Sequence, residues 1–239
     1  MKKSIAIGIL MLFTCLASVA QQLRGRFGSF QIGFTNVILP DLEMNMKTTE
    51  RMGTDFTLHH NAIKLGGGGF TVKKRLLIGG NSSVALLHKS TGNKGEMSIK
   101  SQSGFFNLGY ILSVKNRSFS YLYGGIGGGY TRMTIRNNSL SDEIVLGNNH
   151  RIQPGQSAKY YAGNPGFETG ISWQTFTSSQ KENRINQGFL LGINAGLIVI
   201  PFKETWKYTG NDKSVPGLTY QSTVQWHVTV CIAGGGIRK

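Results

Sequence analysis

The chain has 239 residues, 26 Lys and Arg against 11 Asp and Glu, a formal net charge of +15, and only 2 cysteines. So few cysteines exclude a disulfide-stapled scaffold and a CxxC-type metal site. The basic balance raises nucleic acid as a partner, but no block of like charge, zinc-finger spacing or aromatic RNA-binding motif accompanies it.

The first segment reads as an export signal. Met1-Lys2-Lys3 is basic, residues 5–16 are mostly apolar over a length too short to span a bilayer, and Ser18-Val19-Ala20 are small residues ahead of Gln21. The expected organisation is a cleaved signal over 1–20 and one domain over 21–239. Cys15 offers a lipoprotein reading, but Thr14 stands where Gly, Ala or Ser is usual, so cleavage after Ala20 is preferred. Cleavage leaves Cys231 alone, and the loss of Lys2 and Lys3 takes the charge from +15 to +13. An exported chain rarely meets nucleic acid, which is therefore not an expected partner. No later apolar run approaches the ~20 residues of a membrane helix, so a mature chain that enters a bilayer must do so as a closed barrel.

Period-two stretches then follow at roughly 23–38, 60–73, 76–88, 103–114, 118–136, 159–176, 187–201 and 218–234. Each has one apolar face and one small or polar face. In the last, Leu218, Tyr220, Val224, Trp226, Val228, Val230 and Ile232 alternate with Thr219, Gln221, Thr223, Gln225, His227 and Thr229. Of the 11 Asp and Glu residues only Glu168 falls within a stretch. That pattern puts lipid outside and a narrow polar lumen inside. The connections alternate too. Lys73-Lys74-Arg75, Lys115-Asn116-Arg117 and 177–186 are short, whereas 39–59, 89–102, 137–158 and 202–217 are longer. The expected fold is all-β, a closed antiparallel eight-stranded transmembrane β-barrel with short periplasmic turns and longer extracellular loops.

The stretch Tyr121 to Ile135, YLYGGIGGGYTRMTI, tests a nucleotide-loop reading. Tyr130 stands where G-x-G-x-x-G needs its third glycine and also where a P-loop needs Lys. The Gly66 to Gly69 run, followed by Phe70, Thr71 and Val72, fits neither template. Read at period two, the stretch predicts Leu122, Gly124, Ile126, Gly128, Tyr130 and Arg132 inward, with Gly125, Gly127 and Gly129 facing lipid and easing strand approach.

On these features the chain resembles the small eight-stranded outer-membrane barrels, the family of the OmpA membrane domain and the OmpX-type proteins. The resemblance covers almost the whole mature chain and rests on pattern. It implies a plugged barrel, insertion by the barrel-assembly machinery, and roles in envelope integrity, adhesion or defence. Many such barrels end on an aromatic residue, where this chain ends Gly236-Ile237-Arg238-Lys239.

Glu168 is expected inside, with Lys64, Arg132 and His227 as inward partners, because a lumen charge needs compensation. His88 and Ser90 share a strand face near the long-loop rim. There the chain resembles the lipid A deacylase barrels, which implies His88 as base, Ser90 as nucleophile and Glu96 as its acidic partner. Thr91 follows the Ser where that family has Asn. His59 and His60 point to opposite strand faces and His150 is isolated, so no metal is expected, and no cofactor either. Tyr121, Tyr123, Tyr160, Tyr161, Trp173, Trp206, Tyr208, Tyr220 and Trp226 suit interface girdles. Lys100, Arg136 and Lys159 adjoin strand ends at the long-loop rim, where lipopolysaccharide phosphates are the expected partner. The reading is an outer-membrane barrel without enzymatic activity and with a plugged polar lumen, structural or interactive in role, whose extracellular partner the residues do not name. Two alternatives stand beside it, a lipid A-modifying barrel enzyme and a soluble lipocalin-like carrier.

Overall fold

A computed structural model of the chain describes residues 23–37, 56, 60–86, 89–115, 117–146, 150–177, 185–220 and 223–238. The export signal and most of the first long connection lie outside the described residues. Thirteen strands follow in chain order. They are β1 (Arg24–Asn36), β2 (Asn61–Lys73), β3 (Leu76–Leu86), β4 (Ser90–Thr91), β5 (Gly95–Lys115), β6 (Ser118–Asn137) and β7 (Ile144–Leu146). The rest are β8 (His150–Ile152), β9 (Ser157–Phe176), β10 (Ile185–Ile200), β11 (Glu204–Tyr208), β12 (Ser214–Tyr220) and β13 (Thr223–Arg238).

Eight of them, β1, β2, β3, β5, β6, β9, β10 and β13, pair in antiparallel sequence around a ring. The ring closes where β13 pairs with β1 from Arg24↔Arg238 to Thr35↔His227, so no long edge is left unpaired. The eight predicted period-two stretches map onto these eight strands, except that the start of the last one, Leu218 to Tyr220, belongs to β12, where Leu218 and Tyr220 are buried and not on the outer face. The others are extensions at the long-loop end. β4 lies against β5, β7 and β8 form a separate hairpin, and β11 joins β9 on one side and β12 on the other.

The wall is inside-out relative to a soluble protein. Phe34, Phe106, Ile126, Phe167, Phe189 and Val230 point outward, and Phe189 is 68% exposed. From Val224 to Ile232 the outward side chains cover roughly 20 Å along the barrel axis, at about 3.4 Å per residue and about 40° of tilt. Such a continuous apolar band is stable only against lipid, and it makes this a membrane barrel.

The interior departs from the expected polar lumen. One apolar cluster fills the short-turn half, with Phe27, Phe70, Leu77, Phe119 and Tyr121 among its members. Its rings pack at 5.6 to 6.1 Å for Phe27–Phe70, Phe27–Phe119, Phe27–Tyr121 and Phe70–Tyr121. A second, built on Met97, Ile99, Met133, Ile135, Tyr160 and Trp206, fills the long-loop half. A polar layer lies between them, and a few further buried polar groups, Thr131 and Asn137 among them, sit at the long-loop end.

The parity of β6 is also the reverse of the one expected. Phe119, Tyr121, Tyr123, Met133 and Ile135 are inside, and Leu122, Ile126 and Arg132 are outside. Gly125 and Gly127 face inward, where an added Cβ would lie 1.8 Å from Asn107 Oδ1 and 2.0 Å from the Gly104 carbonyl oxygen. Their missing side chains make room for Asn107 and Phe105 from β5.

Candidate functional site

The polar layer is centred on Glu168 of β9, which is 2% exposed. Its neighbours come from other strands around the barrel. Asn81 of β3 donates its amide to Oε2 at 2.8 Å, and Asn107 of β5 donates to the same oxygen at 3.2 Å. His227 Nε2 of β13 stands 3.7 Å from Oε1 and 3.3 Å from the Tyr123 hydroxyl of β6. Glycines admit these groups, since a Cβ at Gly170 would strike the Tyr123 ring at 2.6 Å and one at Gly196 the His227 ring at 2.8 Å. Lys64 of β2 is 4% exposed and couples electrostatically to Glu168. Beside them Ser172 bonds the Asn194 amide oxygen, and Gln174 donates to the Tyr121 hydroxyl at 3.0 Å.

The arrangement thus unites three of the expected lumen residues, Glu168, Lys64 and His227, and not the fourth. Arg132 is outside, with its guanidinium 5.8 Å from the centroid of the Tyr130 ring. The reversed parity of β6 is the cause. A carboxylate bonded by two amides and closed above and below by apolar side chains ties strands together.

The His-x-Ser proposition fares differently. His88 lies outside the described residues. Ser90 is buried, 7% exposed, and not on the outward face expected of it. The barrel strand β3 ends at Leu86, and the chain re-enters pairing as the short β4, where Ser90 sits opposite Met97, so the alternation is not carried across. Glu96 is held by Lys89 at 2.7 Å. His59 is outside the described residues, among which no group of three or more His, Cys, Asp or Glu is placed to hold a metal ion. Cys231 is a buried free thiol.

At the long-loop end the extensions cap the barrel, a feature that sequence reasoning took for loops. Trp206 and Tyr160 are fully buried, and Trp206 packs edge-on against Tyr220 at 5.7 Å. Asn137 donates to the carbonyls of Asp142 and Ile152 and so ties the β7–β8 hairpin to the end of β6. His150 packs on Tyr160 and Tyr208, and burial there lowers its pKa. Of the expected girdle, Tyr161, Trp173 and Trp226 face out, whereas Tyr121, Tyr123, Tyr160, Trp206 and Tyr220 are core.

The two rims differ in charge. Lys100, Arg136 and Lys159 are exposed on the outer wall at the long-loop end, and Lys100 is the cross-strand neighbour of Arg132. Acidic groups share that end, in the pairs Lys94–Asp142, Arg151–Glu143 and Lys207–Glu204. The Lys94 ammonium holds the Asp142 carboxyl below its ordinary pKa. At the short-turn end stand Arg24, Arg26, Lys73, Lys74 and Arg75, with Arg238 beside them and Lys115 and Arg117 across the barrel, and no carboxylate among the described residues. This second rim was missed, although the turns Lys73-Lys74-Arg75 and Lys115-Asn116-Arg117 spell out five of its eight basic residues.

No family model matches the chain, and no curated protein matches it. Among solved structures, it is similar to the neisserial surface protein A at 6% identity, covering 90% of this chain and 97% of that one, with a TM-score of 0.44. It is also similar to Ail, the attachment invasion locus protein of Yersinia pestis, at 11% identity, 91% and 99% coverage and a TM-score of 0.45. The outer membrane protein OprG from Pseudomonas aeruginosa gives 12% identity, 93% and 98% coverage and 0.40. Strand count, antiparallel closure and apolar belt make the fold that of the small eight-stranded outer-membrane barrels.

Proposed function

We propose that this protein is a non-enzymatic, occluded barrel of a bacterial outer membrane, with the short turns in the periplasm and the capped long-loop end at the cell surface. Its role is structural or one of surface interaction. One observation carries the reading: an apolar outer wall encloses a lumen in which the Glu168 layer is closed on both sides by packed hydrophobic clusters. Such a barrel offers its surroundings only its wall and its two ends. The long-loop rim is the proposed contact for lipopolysaccharide phosphates, and Lys100, Arg136 and Lys159, joined by Arg132, supply the charge.

Membrane fractionation and gel mobility test the reading together. The protein should sediment with outer membranes, and unboiled it should migrate faster than boiled and resist protease. A protein that stays soluble, as a lipocalin-like carrier would, with one mobility boiled or unboiled, refutes it. Lipid A mass spectra of cells with and without the gene should coincide. Loss of an acyl chain only in cells carrying the gene would establish the enzyme instead.

A further inference from the structure

We infer that the wall formed by β13, β1, β2 and β3 is a docking furrow for an anionic glycerophospholipid of the leaflet on the short-turn side. The inference rests on the membrane-barrel reading and adds a ligand class and a place.

The furrow has a head and a body. Its head is an open groove of about 590 Å³ lined by Arg24, Arg26, Thr71, Lys73 and Gly236. Arg24 and Arg26 are two apart and both exposed, so their guanidinia leave the same face of β1. Lys73 is the cross-strand partner of Arg24, and Thr71 and Gly236 flank Arg26 on either side. Lys74 and Arg75 extend the charge along the turn, where both adopt positive φ, 61° and 103°. Residues at positive φ in a two-residue hairpin are ordinarily Gly, Asn or Asp. Two basic side chains stand there instead, and Arg75 Nε has no hydrogen-bond acceptor among the described residues. Three cations around a groove with a glycine and a hydroxyl in its lining, and no described carboxylate nearby, form a receptor for a phosphate oxyanion.

The body lies directly above the head on the membrane side. In the row beyond Gly236, Arg26 and Thr71 come Gly234, Gly28 and Gly69, all exposed and in register across three strands. Barrel packing does not demand these glycines. A Cβ at Gly234 would meet nothing within 4 Å, and at Gly28 and Gly69 its nearest neighbours would lie 3.8 and 3.6 Å away. That separates them from the inward glycines, which the close approach of neighbouring strands requires. Beyond them a second groove of about 610 Å³ starts at Phe30 and Leu65, passes Gly67, Ser82 and Val84, and continues past β3 to Gln102 of β5 and Tyr130 of β6. From Arg26 to Ile32 the wall rises roughly 15 Å, which is about one leaflet of the hydrocarbon core. Head and body thus have the order, spacing and polarity of one phospholipid, with its phosphate at the rim and an acyl chain along bare backbone. Charge decides the occupant, because a neutral lipid or a second apolar barrel would leave the head cations unanswered.

The test uses the full-length mature protein folded in neutral detergent and probed with phosphatidylglycerol and phosphatidylcholine by native mass spectrometry. Three proteins are compared: wild type, R24Q/R26Q/K73Q and Gly69→Leu. Wild type should retain phosphatidylglycerol over phosphatidylcholine. The charge variant should bind it at least about tenfold more weakly, since each cation near an anionic surface contributes roughly fivefold and exposure discounts the product. Gly69→Leu should lose retention with every charge in place. Equal retention of both lipids, or retention unchanged in either variant, overturns the inference. So does a dimer that Gly69→Leu dissociates while lipid binding persists, which would make a second copy the occupant. Gel mobility is read on the same samples. A wild type without a heat-sensitive fast form fails the membrane-barrel reading itself, whereas a fast form without lipid discrimination fails only the furrow.

Discussion

Replacing Glu168 tests whether the polar layer braces the barrel. Glu168→Ala removes the acceptor of two amide donors, at 2.8 and 3.2 Å, and the countercharge of buried Lys64. A hydrogen bond to a charged group contributes about 1.5–3 kcal/mol, and removing one partner of a buried charge set costs about 3–5 kcal/mol. These terms overlap, because both describe groups left unanswered around the same carboxylate, so a total of about 3–5 kcal/mol is expected. The assay is equilibrium urea unfolding in lipid vesicles, followed by the fluorescence of Trp173 and Trp226 and by the fraction of fast-migrating form. Lys64→Met in the Glu168→Ala background should recover at least about 1 kcal/mol, since it removes the orphaned cation. An Ala variant within about 1 kcal/mol of wild type, or a double variant no more stable than Glu168→Ala alone, would refute the brace.

Four further outcomes follow from other parts of the molecule. Gly125→Ala, whose Cβ would lie 1.8 Å from Asn107 Oδ1, should cost about 1–3 kcal/mol, whereas Gly69→Ala, with its nearest neighbour at 3.6 Å, should stay within about 0.5 kcal/mol in the same urea assay. Purified protein in planar bilayers should show no stable porin-like conductance, and reproducible large steps would contradict the two apolar seals. Because burial lowers the His150 pKa, the cap stability that depends on neutral His150 is present above its unfolded pKa near 6.5 and lost as pH falls through the lower folded value. Cleavage of the long-loop end by added protease should therefore rise below about pH 6 in wild type and not in His150→Phe, and equal pH profiles would refute it. Replacing Lys100, Arg136 and Lys159 with Gln should weaken lipopolysaccharide co-purification and lower heat resistance in lipopolysaccharide more than in plain detergent, and identical melting in both would leave the rim a solvated surface.

The barrel was legible because lipid enforces alternation on its outer face. Val224, Trp226, Val228, Val230 and Ile232 read as one face, and the structure exposes that face. Glu168 was legible inside because no other carboxylate falls within a period-two stretch. The cap was not legible. β11 and β12 meet across a register shift, and they bury Trp206 and Leu218 against strands distant in sequence. Nothing in a local period marks such a long-range contact. Ser90 was misplaced for a related reason, since extrapolating the parity of β3 past Leu86 assumes a strand that does not continue.

β6 shows where alternation itself loses its meaning. Both faces of Tyr121 to Ile135 carry aromatic residues and glycine, so the period is plain and the phase is not. The expectation of a polar lumen supplied the phase, and it set Arg132 inside. The structure supplies it from the other direction. Gly125 and Gly127 must be inward, because Asn107 and Phe105 of β5 occupy the space a Cβ would need, and once those two are fixed every odd residue of the strand follows. Phe119, Tyr121 and Tyr123 then build the short-turn core, and Arg132 joins Lys100 on the outer wall. The same steric measure separates glycines required by the barrel from those at Gly28, Gly69 and Gly234, which the barrel leaves free. That bare patch faces the bilayer and adjoins Arg24 and Arg26, the arrangement on which the proposed furrow rests.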